Sequence, residues 1–431
     1  MTAVLTRPVT GGIVAAIPSK SEVHRLLIAA ALADGESEIG CRALNEDIEA
    51  TVRCLVALGA EIGYRSGVFH VIPIKEPRKN AVLDCGESGS TLRFLLPVVA
   101  ALGCGGEFHR KGRLPSRPLS PLYEELARGG VTLSPAAEEP LRVSGRLVPG
   151  DYRIRADVSS QFISGMLFAL PLLGDSTLTL TGHKESAPYI DMTLDTLSRF
   201  SVAYRAEENR FVFDRTDGAP YRSCGKVTAG GDFSNAAFFL TLGAIGKNPV
   251  TVTGLMPDTR QGDRAVLTVL RSFGARVEED GSRVTVFPSR LRGTDISAEQ
   301  IPDLVPVLAV AAATAQGTTV IRGAARLRLK ESDRLKSVAA MLTALSVRVS
   351  ETEDGLCITG GVVGGGTVSS AGDHRIAMSA AVAAAAATGP VVIQGAEAVR
   401  KSYPDFFSDY RTLLSENGGM ACLTLTDEIS V

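Results

Sequence analysis

Net charge is the first thing this sequence lacks. Lys and Arg number 45 against 47 Asp and Glu over 431 residues, so there is no basic field of the kind that draws a nucleic acid. It also lacks any C-x-x-C pair. Its seven cysteines (Cys41, Cys54, Cys85, Cys104, Cys224, Cys357 and Cys422) are odd in number. They argue against a zinc site or a disulfide framework and for reduced thiols in a cytoplasmic protein. The longest apolar run, 376–387, is too short to span a bilayer, and the opening MTAVLTRPVTGG has no apolar core suited to a signal peptide. No membrane partner is expected. What is present is a 45% hydrophobic chain, enough for large cores in two or three domains. Its positive charges gather in local groups, which suits a small anionic substrate.

The stretch LDCGESGSTLRFLLPVVAA, 83–101, shows the pattern that recurs. A Gly- and Ser-rich turn runs straight into an apolar helix, leaving unpaired backbone N–H groups at the positive end of the helix dipole. That geometry attracts carboxylate or phosphate, and Arg93 adds a full charge on the first turn. Five more stretches combine a polar opening, an Ala/Leu/Val-rich helix, a Gly turn and a β-branched strand. They begin near Ile17, Val158, Asp232, Ile301 and Asp373. Their openings carry Lys20, Ser21 and Arg25; Ser159, Ser160 and Gln161; Asp303; and His374 with Arg375. Any one alone reads as an ordinary helix cap. Six with unlike polar groups read as a built site.

Behind each apolar helix comes a polar helix ending in Leu and a small residue, then a hairpin. That small residue falls at Gly59, Gly130, Ser201, Gly274, Ser346 and Gly418, a period of about 72 residues that marks a sixfold duplication. Gly or Ser there fits a helix end where the chain must leave with positive φ or little bulk. Each unit then reads strand, buried apolar helix, strand, amphipathic helix, hairpin. The passage 225–231 separates three units from three. Residues before Pro18 have no unit of their own in the first half, and are available to complete the truncated sixth copy. The expected domains are 18–229, and 1–17 with 230–431, with the chain crossing near 17–18 and 228–230. The six helix starts are expected to face a shared cleft.

The motifs PSKSEVHR, ESGSTLR, SRP, SSQ, IPD, LKESDRL, DHRIAM and RKSYPDFF, spaced along the whole chain, resemble those of the 5-enolpyruvylshikimate-3-phosphate (EPSP) synthase family. The resemblance implies an α/β (α+β) fold: a two-lobed inside-out α/β barrel of six βαβαββ-type repeats, three per lobe. It implies transfer of the enolpyruvyl group of phosphoenolpyruvate to the 5-hydroxyl of shikimate 3-phosphate with release of phosphate, by a monomer with no metal or organic cofactor. By motif position, Lys20, Ser21, Arg25, Ser159, Ser160, Gln161, Ser186, Tyr189, Asp303 and Lys330 would meet shikimate 3-phosphate. Lys20, Gly89, Arg117, Gln161, Arg334, Arg375 and Lys401 would meet phosphoenolpyruvate. Asp303 would accept the hydroxyl proton, Lys20 would contact both substrates, and Glu331 or Lys401 would protonate the methylene. The sequence departs from the pattern at Glu87, where many relatives carry Asn, at Arg326–Leu327 in place of Asn-Trp, and at Ala187 in place of Lys. These positions are left outside the expected site.

Such a site makes physical sense. Both substrates are polyanions, and cations offset their repulsion when they are brought into contact. Acid and base must also coexist with different proton affinities. Two other readings compete. A UDP-N-acetylglucosamine enolpyruvyl transferase shares fold and donor, but typically uses a Cys in the loop that here reads GRLPSRP. A non-catalytic repeat scaffold would have no use for Lys20, Asp303, Glu331 and Lys401 in different repeats.

Overall fold

The computed structural model describes residues 1–6, 9, 11–414 and 423–426. Gly418 and Cys422 lie outside the described residues. The chain divides into two compact units, Pro18–Ala229, and Met1–Ile17 with Gly230–Val431. The first unit holds helices α1 (Lys20–Ala31), α2 (Glu46–Leu58), α3 (Gly89–Leu102), α4 (Leu122–Arg128), α5 (Ser160–Ala169) and α6 (Ala187–Arg199). The second holds α7 (Phe233–Ile245), α8 (Val266–Ser272), α9 (Val305–Thr314), α10 (Arg334–Ala344), α11 (His374–Ala383) and α12 (Phe406–Thr412).

Odd- and even-numbered helices differ as their composition dictates. A helix that is apolar all round has no face to give to water. Accordingly all of α11 is buried, as are residues 305–313 of α9 and 91–101 of α3. Truncating a core leucine such as Leu96 to Ala would cost about 2–5 kcal/mol. By contrast α2 buries only a stripe, Ile48, Thr51, Leu55 and Leu58 among it, with the turn-by-turn spacing of an amphipathic helix.

Among the described residues there are six four-stranded sheets of one design. The third repeat shows it plainly. Asp151–Arg155 runs parallel to Ser176–Thr181, which pairs antiparallel with Arg210–Phe213, and that strand with Arg205–Glu207. A parallel pair needs a crossover connection, and the buried helix supplies it. The two chain crossings alter who contributes the leading strand. Lys226–Thr228 leads the first sheet beside Ser37–Gly40, and Gly12–Ala15 leads the fourth beside Val250–Thr253. The amino-terminal strand Thr2–Leu5 takes a hairpin place in the sixth sheet, between Val391–Gln394 and Leu423–Thr426.

The repeat leaves a backbone signature. Gly59, Gly130, Ser201, Gly274 and Ser346 all have positive φ, 116°, 96°, 55°, 91° and 62°. Each ends the amphipathic helix of its repeat and turns the chain toward the hairpin. One other glycine sets the site. A Cβ on Gly165 would lie 2.2 Å from the Arg93 carbonyl, so the bare α-carbon lets α5 come close against α3. No helix among the described residues is long and apolar enough to cross a membrane.

Candidate active site

In Pro18–Ala229 the polar groups collect at the starts of α1, α3 and α5. Ser19 caps α1, accepting from the Glu22 N–H, so Lys20 is its first residue. The Lys20 ammonium lies 2.7 Å from Asp47 Oδ2, and Asp47 sits on the first turn of α2 behind the cap residue Asn45. Ser21 follows, and its carbonyl accepts from Arg25. Arg25 is 2% exposed. It donates to Thr193 Oγ1 at 2.8 Å, Ser21 O at 2.8 Å, Tyr189 O at 2.9 Å and Ser164 Oγ at 3.2 Å. Its guanidinium lies over the Phe94 ring. Every one of those acceptors is neutral. Burial therefore pulls its pKa down to about 10, with Tyr189 and Glu22 opposing. A buried cation without a carboxylate is costly, and an arriving anion would relieve it. Beside it His24 is buried and held neutral, well below the ordinary histidine value, by burial and then by the charges of Lys20 and Arg25.

Ser88 caps α3, accepting from the Thr91 N–H, and Gly89 is the first residue. A Cβ there would stand 2.6 Å from one Arg93 nitrogen and 2.8 Å from one of Arg117. Two guanidinium groups thus flank the bare α-carbon at a helix N-terminus, a ready anion site. Arg93 donates to Gln161 Oε1 at 3.0 Å, and Gln161 donates in turn to Ser90 Oγ at 3.0 Å. That amide bridges the starts of α3 and α5. Ser159 caps α5 by accepting from the Gln161 N–H, and Ser160 follows it. Ser186 precedes α6 in the left-handed region at φ 53° and is buried. A non-glycine residue held there costs about 1–3 kcal/mol and is met at functional sites. Tyr189 lies one turn on.

In the other unit the charges are paired. Asp303, just ahead of α9, receives Arg334 on Oδ1 at 2.8 Å and Arg375 on Oδ2 at 3.2 Å, with Lys330 at 3.7 Å. Burial acts to raise its pKa. The charges of Arg375, Lys330 and Arg334 outweigh burial and the repulsion of Glu331, and hold the carboxyl well below the usual range. Arg334, 1% exposed, also reaches Glu331 Oε2 at 2.6 Å and Asp373 Oδ2 at 2.7 Å. Burial disfavours its charge, and Asp373, Glu331 and Asp303 more than restore it, raising its pKa. Asp373 caps α11 by accepting from the Arg375 N–H, and Lys401 donates to the carbonyl of the adjacent Gly372 at 3.2 Å. Asp263 is buried, receives the Ser234 hydroxyl, and has its pKa pushed up to about 6, by burial and then by the charge of Asp303.

The expected residues thus fall into two groups. Asp303, Lys330, Glu331, Arg334 and Arg375 are brought together, with Lys401 at the capping turn of α11. Lys20, Ser21, Arg25, Gly89, Arg117, Ser159, Ser160, Gln161, Ser186 and Tyr189 belong to the other unit. Sequence reasoning passed over Asp47, Asp373, Asp263, Thr193 and Ser164 and used Arg93 only as a helix-start charge. Asp47 and Asp373 had a signal, an acidic residue at or just inside a helix start. Thr193 and Ser164 had none. Of the departures, Glu87 packs its carboxylate against Gly112, Arg326 donates to the Glu299 carbonyl, and Ala187 opens α6. Cys104 is buried behind the far end of α3, at the opposite end from Gly89.

Duplicated α/β units of this design place the chain in the fold class of enolpyruvyl transferases of known structure. The structure resembles EPSP synthase from Acinetobacter baumannii with a TM-score of 0.80, 25% identity, and coverage of 99% of this chain and 100% of that one. It shares its fold with the enolpyruvyl transferase NikO from Streptomyces tendae at a TM-score of 0.74, 21% identity, and 96% and 97% coverage. The sequence narrows the class. Residues 6–410 match the signature of EPSP synthase (3-phosphoshikimate 1-carboxyvinyltransferase). The 3-phosphoshikimate 1-carboxyvinyltransferase of Clostridium kluyveri is 43% identical over 93% of this chain and 94% of its own. That of Methanocorpusculum labreanum is 38% identical over 96% and 98%. The chain belongs to the EPSP synthase family.

Proposed function

We propose that the chain transfers the enolpyruvyl group of phosphoenolpyruvate to the 5-hydroxyl of shikimate 3-phosphate, and that the two clusters divide the work. The cluster of Pro18–Ala229 grips anions. Lys20, Ser21, Arg25, Ser159, Ser160, Ser186, Gln161 and Tyr189 serve shikimate 3-phosphate. Gly89 and Arg117, with Lys20 and Gln161 shared, serve phosphoenolpyruvate. The cluster of the other unit handles protons, with Lys330 assigned to shikimate 3-phosphate and Arg334, Arg375 and Lys401 to phosphoenolpyruvate.

In the addition step a proton goes to the methylene carbon of phosphoenolpyruvate, the 5-oxygen bonds to the adjacent carbon, and the hydroxyl proton passes to Asp303. In the elimination step the new methyl group gives a proton back and phosphate departs. The observation that carries this reading is the grip of three cations on Asp303. In that state it is ionised but a poor base. Substrate phosphate and carboxylate compete for Arg334, Arg375 and Lys330, and each cation they draw off raises the proton affinity of Asp303. The base is thus strengthened by the substrates it serves. Glu331, held ionised by Arg334, gains proton affinity by the same competition; once it has taken a proton from solvent it is the donor to the methylene, with Lys401 the alternative. This reading has the chain working as a cytoplasmic monomer, and the free thiols at six described cysteines suit a reducing compartment.

The test is phosphate release by the purified protein. Release should require phosphoenolpyruvate and shikimate 3-phosphate together. Release from phosphoenolpyruvate alone, or none with both, would overturn the reading.

A further inference from the structure

A buried chain of hydroxyl groups runs beneath the Gly89 turn. Thr91 Oγ1 donates to Ser88 Oγ at 2.7 Å, the Thr51 and Thr91 hydroxyls are 2.7 Å apart, and Thr51 Oγ1 is 2.7 Å from His24 Nδ1. Thr51 and Thr91 are fully buried, and Ser88 and His24 are 1% exposed. A hydroxyl has one hydrogen to give. Thr91 spends its own on Ser88, so its oxygen accepts from Thr51, and Thr51 in turn accepts from His24. The direction of the chain assigns the histidine tautomer: Nδ1 carries the hydrogen. Nε2 is left buried with no hydrogen-bond partner, a cost that an apolar residue at this position would avoid.

The members sit where they can transmit position. His24 is one turn beyond Lys20 on α1 and next to Arg25, and Thr51 is one turn beyond Asp47 on α2. Ser88 and Thr91 bracket Gly89 at the start of α3. One row of hydrogen bonds therefore joins the helix bearing Lys20, the helix bearing its ion-pair partner, and the turn flanked by Arg93 and Arg117.

We propose that His24, Thr51 and Thr91 are positioning residues for the phosphoenolpyruvate part of the site, setting the Gly89 turn in register with Lys20. The proposal rests on the assignment of Gly89 and Lys20 to that substrate. Thr51→Val keeps the shape and removes the hydroxyl. It should raise KM for phosphoenolpyruvate about tenfold, what one buried hydrogen bond of ~1.4 kcal/mol represents, and leave KM for shikimate 3-phosphate within about twofold. Thr51→Ser, which restores the hydroxyl, should return KM for phosphoenolpyruvate to near its starting value. His24→Asn, whose amide can donate from the place of Nδ1, should retain far more affinity than His24→Leu. A purely structural role would lower the denaturation midpoint of Thr51→Val and leave the ratio of the two KM values unmoved; that result overturns the proposal, as does failure of Thr51→Ser to rescue. Gly89→Ala is measured alongside. If it leaves KM for phosphoenolpyruvate unchanged, the pocket assignment falls and takes this proposal with it. If it raises that KM while Thr51→Val does not, the hydroxyl chain alone is refuted.

Discussion

Arg25 and Arg334 are both almost completely sealed from solvent, one in each unit, and they live in opposite surroundings. Arg25 spends its donors on two hydroxyls and two backbone carbonyls. Arg334 spends its own on Asp303, Glu331 and Asp373. Burial therefore wins at Arg25, whose pKa falls to about 10, and loses at Arg334, whose pKa rises. The same repeat has been used for two purposes. On the proposed function, one unit offers an incoming anion a buried arginine held only by neutral acceptors, and the other holds carboxylates clamped by cations that an anion can pull away.

If that contrast is right, its largest consequence is at Asp303. Asp303→Asn removes the proposed base and should lower turnover by about 10²–10⁴-fold, while calorimetry still finds shikimate 3-phosphate bound through the Pro18–Ala229 unit. Turnover within a factor of a few would end the division of labour. Next come the two arginines themselves. Arg334→Met takes a buried cation from three carboxylates, leaving Asp303 to Arg375 and Lys330, and should cost about 3–5 kcal/mol in chemical denaturation. Arg25→Met leaves only neutral acceptors to find other partners, and should cost about 1–3 kcal/mol while weakening shikimate 3-phosphate. Equal losses of stability would erase the comparison.

A pH titration sharpens it further. Asp263 has a folded-state pKa of about 6 against an ordinary 3.8. Between those values the folded chain holds a proton that the unfolded chain has lost, so stability should fall as pH rises through that window, by roughly 2–3 kcal/mol. Asp303 has the opposite sign. Its depressed pKa contributes stability above the unfolded value, and that contribution is lost as pH falls through the folded one. Asp263→Asn should remove the downward slope between about pH 4 and 6 in denaturant midpoints; an unchanged slope would show that Asp263 does not carry it. On the anion-gripping side, Gly89→Ala pushes only on the ends of Arg93 and Arg117. Folding should tolerate it, but KM for phosphoenolpyruvate should rise about tenfold or more and that for shikimate 3-phosphate far less. Equal rises would place Gly89 elsewhere.

Much of the fold was legible because it is written locally and six times over. Helix burial follows from composition within a dozen residues, and the period of small residues marks the turn after the amphipathic helix in the five repeats where that turn is described. The start of the chain could be read as the missing piece of the sixth hairpin, since the last copy is visibly short. What local pattern does not contain is partnership across repeats. Nothing near Arg25 announces that it will bond Thr193, 168 residues away, or Ser164, 139 away. Nothing near Lys226 says that it leads the sheet of the first repeat. Charged residues at helix starts were legible as candidates because the dipole makes those positions special. Their pairing, Lys20 with Asp47 and Arg334 with Asp373, depends on how neighbouring helices pack.

The smallest effect tests the repeat itself. Gly59, Gly130 and Gly274 end their helices with positive φ at no steric cost, whereas Ser201 and Ser346 hold the same conformation, φ 55° and 62°, with a Cβ. A left-handed residue with a side chain costs roughly 1–2 kcal/mol, partly offset because glycine makes the unfolded chain more flexible. Ser201→Gly and Ser346→Gly should therefore each stabilise the chain by about 0.5–1 kcal/mol, one in each unit, with turnover unchanged. The two serines are exposed or nearly so and make their turns far from the charged helix starts in sequence, so the gains should be alike and additive. A gain in one unit and a loss in the other would mean that the repeats have diverged in backbone energetics as well as in charge, and that the shared turn no longer does the same job in both.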